Sequence, residues 1–217
     1  MVILVDNGHG AETPGKRSPN GKLLEYAYTR EIARRLVAAL NLGGYPAVRL
    51  VEESTDVPLG ERVTRANAYC DKYGVGNCLL VSIHCNACPP DDGKWHAARG
   101  WSIYTSKGTT KADRLAQCIA ESAKAALIGG GKYESTFTDE DRKKGVKPVR
   151  EDVSDGDSDF EENFAILRRT RCAAVLTENM FQDNKADVDF LLSDEGKNTL
   201  VQIHLNGIIH YILSSTK

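Results

Sequence analysis

The sequence predicts an α/β fold with three layers, a mostly parallel twisted sheet flanked by helices on both faces. Two observations lead there. Apolar runs of strand length alternate with helical apolar periodicity almost from end to end, and strands separated by helices of this length make βαβ units. Glycine and proline clusters then close the periodic segments, as helix ends require. The strands fall at residues 2–5, 47–51, 78–84, 101–105 and 173–178. The first helix shows an apolar face of Tyr28, Ile32, Leu36 and Leu40, and ends at Gly43-Gly44 before Pro46. The second has Leu59, Val63, Ala66, Cys70 and Tyr73, and stops at Gly74. The third has Leu115, Ile119, Ala123 and Leu127 before Gly129-Gly130-Gly131. The last, at about 195–213, turns Leu200, Ile203, Ile208 and Ile212 towards a core. No internal repeat interrupts the pattern.

At 217 residues, 41% of them apolar, the chain is long enough to bury a proper core as one domain spanning 1–217. Its 28 Lys+Arg against 30 Asp+Glu exclude a basic nucleic-acid binder held by phosphate contacts. No run reaches the ~18 apolar residues of a membrane span. Met1 leads straight into Val2-Ile3-Leu4-Val5 with no basic segment, which is not the pattern of a signal peptide. The six cysteines sit in a chain far longer than disulfide-dependent scaffolds, several inside apolar runs, and are expected to be reduced and mostly buried.

Residues 132–162 break the rhythm as a charged loop excursion. The first part is basic (Arg142, Lys143, Lys144, Lys147, Arg150) and the second acidic (Glu151, Asp152, Asp155, Asp157, Asp159, Glu161, Glu162). Asp155-x-Asp157-x-Asp159 resembles the start of a calcium loop, but Phe160 and Ile166 occupy the places of its glycine and closing glutamate. A solvated acidic loop is the expected reading. Gly129-Gly130-Gly131-Lys132 is no phosphate loop, because Ala126 and Tyr133 replace the glycine and hydroxyl that such a loop needs.

In an open α/β sheet, ligands bind outside the carboxyl ends of the strands. Three strands here end in groups able to ligate metal or move protons: Asp6-Asn7-Gly8-His9-Gly10, Ser82-Ile83-His84-Cys85-Asn86 and Thr177-Glu178-Asn179. A parallel sheet brings those ends to one rim. Two imidazoles there suggest zinc, and Glu25, opening the first helix after the Asn20-Gly21-Lys22 turn, is the natural third ligand of an open hydrolytic site. Taken singly, a histidine beside glycine is more often a hydrogen-bonded structural residue, and a first-turn glutamate usually a surface group that the helix dipole favours. The coincidence of strand ends shifts the reading towards a site. His96, His204 and His210 have no such placement; the last two read as packing or surface residues.

These motifs, in this order and over nearly the whole chain, resemble the zinc-dependent N-acetylmuramoyl-L-alanine amidases of the Amidase_3 type. The specific part is Ser82-Ile83-His84-Cys85-Asn86-Ala87; Leu59, Arg62, Ala66 and Asn67 match a supporting helix. The resemblance implies that His9, Glu25 and His84 hold Zn2+ and that Glu178 is the catalytic carboxylate. It implies cleavage of the amide between the lactyl group of N-acetylmuramic acid and L-alanine of the peptidoglycan stem peptide. The expected partner is therefore peptidoglycan or its muropeptides, with no nucleic acid and no membrane span, and the expected state is a monomer. The site of action would be the cell wall, reached by a phage-type lysin or by a chain trimmed of its export signal. The alternatives are a zinc peptidase or amidase on another acylated peptide, and a catalytically silent wall-binding protein. Asn7 and Ala11 depart from the proline and glycine usual in the family, which alters a loop expected to face substrate, and Asn179-Met180-Phe181 replaces a small or glycine-containing turn. The basic run 142–150 reads as solvated charge, with recognition of stem-peptide carboxylates as the other possibility.

Overall fold

A computed structural model describes residues 1–90, 92–154 and 156–215. Six strands form one sheet: β1 (Val2–Asn7), β2 (Ala47–Arg49), β3 (Cys78–Asn86), β4 (Ser102–Thr105), β5 (Phe160–Glu161) and β6 (Ala173–Phe181), in the spatial order β2-β1-β3-β6-β4-β5. All neighbours pair parallel except β4 and β6, which run antiparallel. The helices are α1 (Glu25–Leu42), α2 (Leu59–Tyr73), α3 (Lys111–Leu127), α4 (Asp139–Lys143), α5 (Ala165–Arg169), α6 (Lys185–Leu192) and α7 (Asp194–Ser215). This is the expected three-layer, mostly parallel α/β architecture.

Because helices cover both faces, the central strands are apolar on both sides. Ile3, Val5, Leu79, Val81, Ile83 and Val175 face a core completed by α1, α3 and α7. Leu4, Leu80, Ala174 and Leu176 face a second core, with Val63, Ala66 and Cys70 of α2 and Ile166 and Leu167 of α5. Each such aliphatic side chain contributes roughly 1.5–3 kcal/mol on burial. In α1 the buried stripe is Tyr28, Ile32, Leu36 and Leu40, with Gly44 taking a φ of +82° just beyond the helix. In α3 a capping box of Thr110 and Asp113 satisfies the first turn. Gly207 of α7 lets that helix approach α3 closely, since a Cβ there would lie 2.6 Å from the Cα of Ile119.

Residues 132–162 are not a structureless excursion. The segment contains a 3-10 turn at Glu134–Thr136, then α4 and β5. Tyr133, Phe137 and Val149 are buried in the main core. These anchors are too sparse to register as periodicity. The acidic half is also less solvated than its composition implies: Asp159 is buried and accepts a hydrogen bond from the Thr105 hydroxyl. Burial pushes its carboxyl up to about 7, the Thr105 bond opposing and Asp157 reinforcing the rise. Asp155 lies outside the described residues. The six cysteines are free thiols, five of them buried.

Candidate active site

The carboxyl ends of β1, β3 and β6 meet at one rim, as the parallel register requires. His84 and Glu178 are direct cross-strand neighbours, and Asp6 pairs with Ser82 on the other side. One residue later the β3–β6 register shifts, between His84 and Asn86. Met180 absorbs the irregularity at a φ of +67°, a left-handed conformation that glycine would adopt without strain.

Glu25 reaches this rim from the other face of the sheet. A tight turn brings it there: Ser18 and Leu23 exchange backbone and hydroxyl hydrogen bonds, Arg17 and Leu24 form an isolated antiparallel bridge, and the Glu25 amide donates to the Lys16 carbonyl at 3.0 Å. The carboxylate is fully buried. Its Oε1 accepts the Cys85 amide at 2.9 Å and lies 3.5 Å from Nε2 of His9 and 3.4 Å from Nδ1 of His84. Its Oε2 has no hydrogen-bond partner.

Among the described residues, His9, Glu25 and His84 are the one group of three or more such side chains whose ligating atoms converge, all within 4.8 Å of one another. The two imidazoles stand edge to face, 5.0 Å apart. This donor set fits a metal ion. Two imidazole nitrogens and an orphaned carboxylate oxygen, an unfavourable arrangement to leave buried without a cation, are the composition of an open hydrolytic zinc site. Gly8 is part of the fit, because a Cβ there would overlap the His84 ring.

Burial opposes the charged form of both imidazoles. At His9 it prevails over the attraction of Glu25 and pulls the pKa down to about 4, favouring the neutral ring that a metal needs. At His84 the hydrogen bond to Glu25 and the charge of Glu178 outweigh burial and raise the pKa. Glu178 is pushed up to about 7 by burial, His84 opposing and Glu25 reinforcing. Its Oε2 has no hydrogen-bond partner among the described residues.

The loop carrying His9 is held by a residue that the sequence suggested only as helix support. Arg62 of α2 is buried and donates to the Asp6 carboxylate at 2.9 Å, the Val57 carbonyl at 2.7 Å, the His9 carbonyl at 3.2 Å and the Asn7 carbonyl. Nη2 also reaches Asp56 at 3.3 Å. His9 itself sits at a φ of +60°, so its conformation depends on this clamp. Asp6 additionally accepts the Ser82 hydroxyl. The signal was present in the sequence as an acidic residue at the end of an apolar strand, which needs a cation once buried. Asn179 was missed as well: its amide nitrogen donates to the His84 carbonyl at 2.9 Å and its oxygen accepts the Trp101 indole N–H at 3.0 Å. Asn7, expected to alter a substrate-facing loop, is instead the last residue of β1 with its side chain fully buried. His204 is buried in packing, its Nδ1 bonded to the Leu200 carbonyl and its Nε2 to the Thr177 hydroxyl.

The family model for N-acetylmuramoyl-L-alanine amidase, Amidase_3, matches residues 3–210. The chain belongs to this family. The N-acetylmuramoyl-L-alanine amidase AmiC of Neisseria meningitidis serogroup B is 30% identical, over 99% of this chain and 53% of its own length. The endolysin of Bacillus phage SPP1 is 27% identical, over 95% of the chain and 64% of its length. The chain thus spans between half and two thirds of these curated relatives. Among solved structures, the amidase from Clostridium difficile 630 superposes with a TM-score of 0.75 at 21% identity, covering 98% of this chain and 97% of its own. The catalytic domain of CwlV from Bacillus (Paenibacillus) polymyxa gives 0.70, also at 21% identity, with 97% of each chain covered. At that identity the likeness is one of fold.

Proposed function

We propose that this chain is a peptidoglycan hydrolase that cuts the amide between the lactyl group of N-acetylmuramic acid and L-alanine of the stem peptide, as a single catalytic domain acting at the cell wall. His9, Glu25 and His84 would hold zinc, and Glu178 would be the general base and acid. The observation that carries the reading is the convergence of three ligating side chains beside a buried, unpartnered glutamate oxygen. Family membership supplies the scissile bond. No helix among the described residues is long and apolar enough to cross a membrane.

The residues divide the work. Zinc, when bound, supplies Lewis acidity that polarises an amide carbonyl and acidifies a water. Glu178, next to His84 in register, takes the proton of the attacking water on its free carboxylate oxygen. It then returns that proton to the alanine nitrogen as the C–N bond breaks. Arg62 and Asn179 hold the backbone carbonyls of His9 and His84, so neither ligand has to be ordered when substrate arrives.

Mass spectrometry of purified peptidoglycan digested with the zinc-loaded protein tests the reading, with Glu178→Gln alongside. Free stem peptides beginning with L-alanine are expected from the wild type and at least about a hundredfold less from the variant, with one zinc retained by both. Release of peptides cut at any other bond, or equal release by Glu178→Gln, would overturn it.

A further inference from the structure

We infer that Arg150 forms a carboxylate-binding subsite beyond Glu178, so that the peptide cut by this chain is held there by a negatively charged group. The inference rests on the amidase reading above and adds a chemical preference to it.

The position of Arg150 is set by the backbone. The Trp101 amide donates to the Pro148 carbonyl at 2.9 Å, and the Arg150 amide donates to the Trp101 carbonyl at 2.7 Å. Val149 therefore forms an isolated parallel bridge with Trp101, just before β4. Gly100, at a φ of +107°, allows this approach: a Cβ there would strike the Lys147 carbonyl and come within 3.1 Å of the Arg150 Cγ. Trp101 is itself fully buried and tied through Asn179 to the His84 carbonyl. A continuous hydrogen-bonded path thus connects a proposed metal ligand to the arginine backbone.

The guanidinium is backed but not satisfied. Its central carbon lies 5.1 Å from the Phe181 ring centroid and 5.9 Å from that of Phe160. Aromatic backing of this kind restricts the side chain while leaving the N–H fork available. Among the described residues, no carboxylate comes within ion-pair distance of it and no acceptor takes its N–H groups. Its neighbours are already engaged: Arg99 with Asp187 at 3.2 Å, and Glu151 with Lys124. With Lys147, Val146 and Phe160, Arg150 lines an open cleft of about 420 Å³.

Phe160 of the cleft lies on the face of the sheet that carries Glu178. Ser102 of β4 is opposite Glu178, and Tyr104, two residues on and so on the same face, pairs with Phe160 of β5. The Tyr104 ring stacks on Phe160 at 5.3 Å. Burial raises the Tyr104 hydroxyl, with the charge of Glu178 reinforcing the rise and that of Arg150 opposing it. His84, Glu178 and Ser102 follow one another across the sheet, and the Arg150 backbone is bonded to Trp101, just before that same last strand. A planar fork of donors there matches a carboxylate in two parallel hydrogen bonds, and a carboxamide in only one.

Two soluble probes isolate that group: N-acetylmuramoyl-L-alanyl-glutamate and N-acetylmuramoyl-L-alanyl-glutamine, both amidated at the C-terminus so that only the first carries a carboxylate. The zinc-loaded wild type is expected to prefer the glutamyl probe by about tenfold in kcat/KM, expressed in KM, the size of a charge-assisted hydrogen bond at a half-exposed site. In Arg150→Gln the ratio is expected to fall to about one, and in Arg150→Lys to lie between. A wild type without preference, or a variant that keeps it, overturns the subsite and leaves the amidase reading standing. An equal loss on both probes in Arg150→Gln overturns it too, in favour of a structural role. Cleavage of neither probe, together with no release from peptidoglycan, overturns both readings.

Discussion

Replacing Arg62 by methionine removes the clamp on the His9 loop while keeping an unbranched apolar stem in its place. Five hydrogen bonds go at once, and the Asp6 carboxylate, 1% exposed, keeps only the Ser82 hydroxyl as a side-chain donor. Breaking a buried ion pair by deleting one partner costs about 3–5 kcal/mol. The three orphaned carbonyls add up to ~1 kcal/mol each, discounted where the half-exposed His9 loop can admit water. A loss of about 4 kcal/mol is therefore expected, a large share of the ~5–15 kcal/mol available to a domain. Urea unfolding in the presence of a chelator measures it without the contribution of bound metal. A double-mutant cycle with Asp6→Asn should show a coupling of at least about 1.5 kcal/mol. Zinc affinity should fall by about 10- to 100-fold, as when an outer partner of a ligand is removed. A stability loss below about 1 kcal/mol with unchanged zinc affinity would refute the clamp. A coupling near zero would assign the stabilisation to the carbonyl bonds instead of the ion pair.

Glu25→Gln keeps an acceptor for the Cys85 amide but removes the carboxylate, so the fold should survive while zinc affinity drops by more than about a hundredfold in calorimetric titration; retained affinity would remove Glu25 from the ligand set. Gly8→Ala drives a methyl into the His84 imidazole and should abolish stoichiometric zinc binding, read by metal analysis of the purified protein. Gly207→Ala, where α7 meets α3, should cost about 1–3 kcal/mol by overpacking in the same urea assay without altering zinc content. His204 has its pKa lowered by burial from 6.5 to about 4, so its neutral form stabilises the fold fully above pH 6.5 and that contribution is lost as pH falls from 6.5 to 4. The loss is about 3 kcal/mol, and chelated His204→Gln should show a stability–pH slope flatter than the wild type by that amount across this window; parallel slopes would sink the assignment.

Much of the fold and of the proposed ligand set was legible in the sequence, because both rest on local patterns. Strands buried on both faces must be continuously apolar, and 2–5, 78–84 and 173–178 show this directly. A parallel sheet sends their carboxyl ends to one rim, so His9, His84 and Glu178 converge by topology alone. Short elements were not legible. The two-residue strand β5 and the five-residue helices α4 and α5 owe their existence to what they pack against, and no period can be read from so few residues.

Burial of polar groups is likewise a property of the assembled chain. Asp6, Asn7, Arg62, Asp159 and Asn179 look like ordinary surface residues until neighbouring elements exclude water from them. Once water is gone, each must find a partner or bear the cost, and the partner is set by which segments the fold brings together. Arg62 is 56 residues from Asp6 and 53 from His9, and Asn179 is 95 from His84. The residue types able to bind metal and move a proton were therefore written in the sequence. The clamps that hold them, and the aromatic seat that leaves Arg150 free for a substrate charge, exist only because the sheet closes these distances in space.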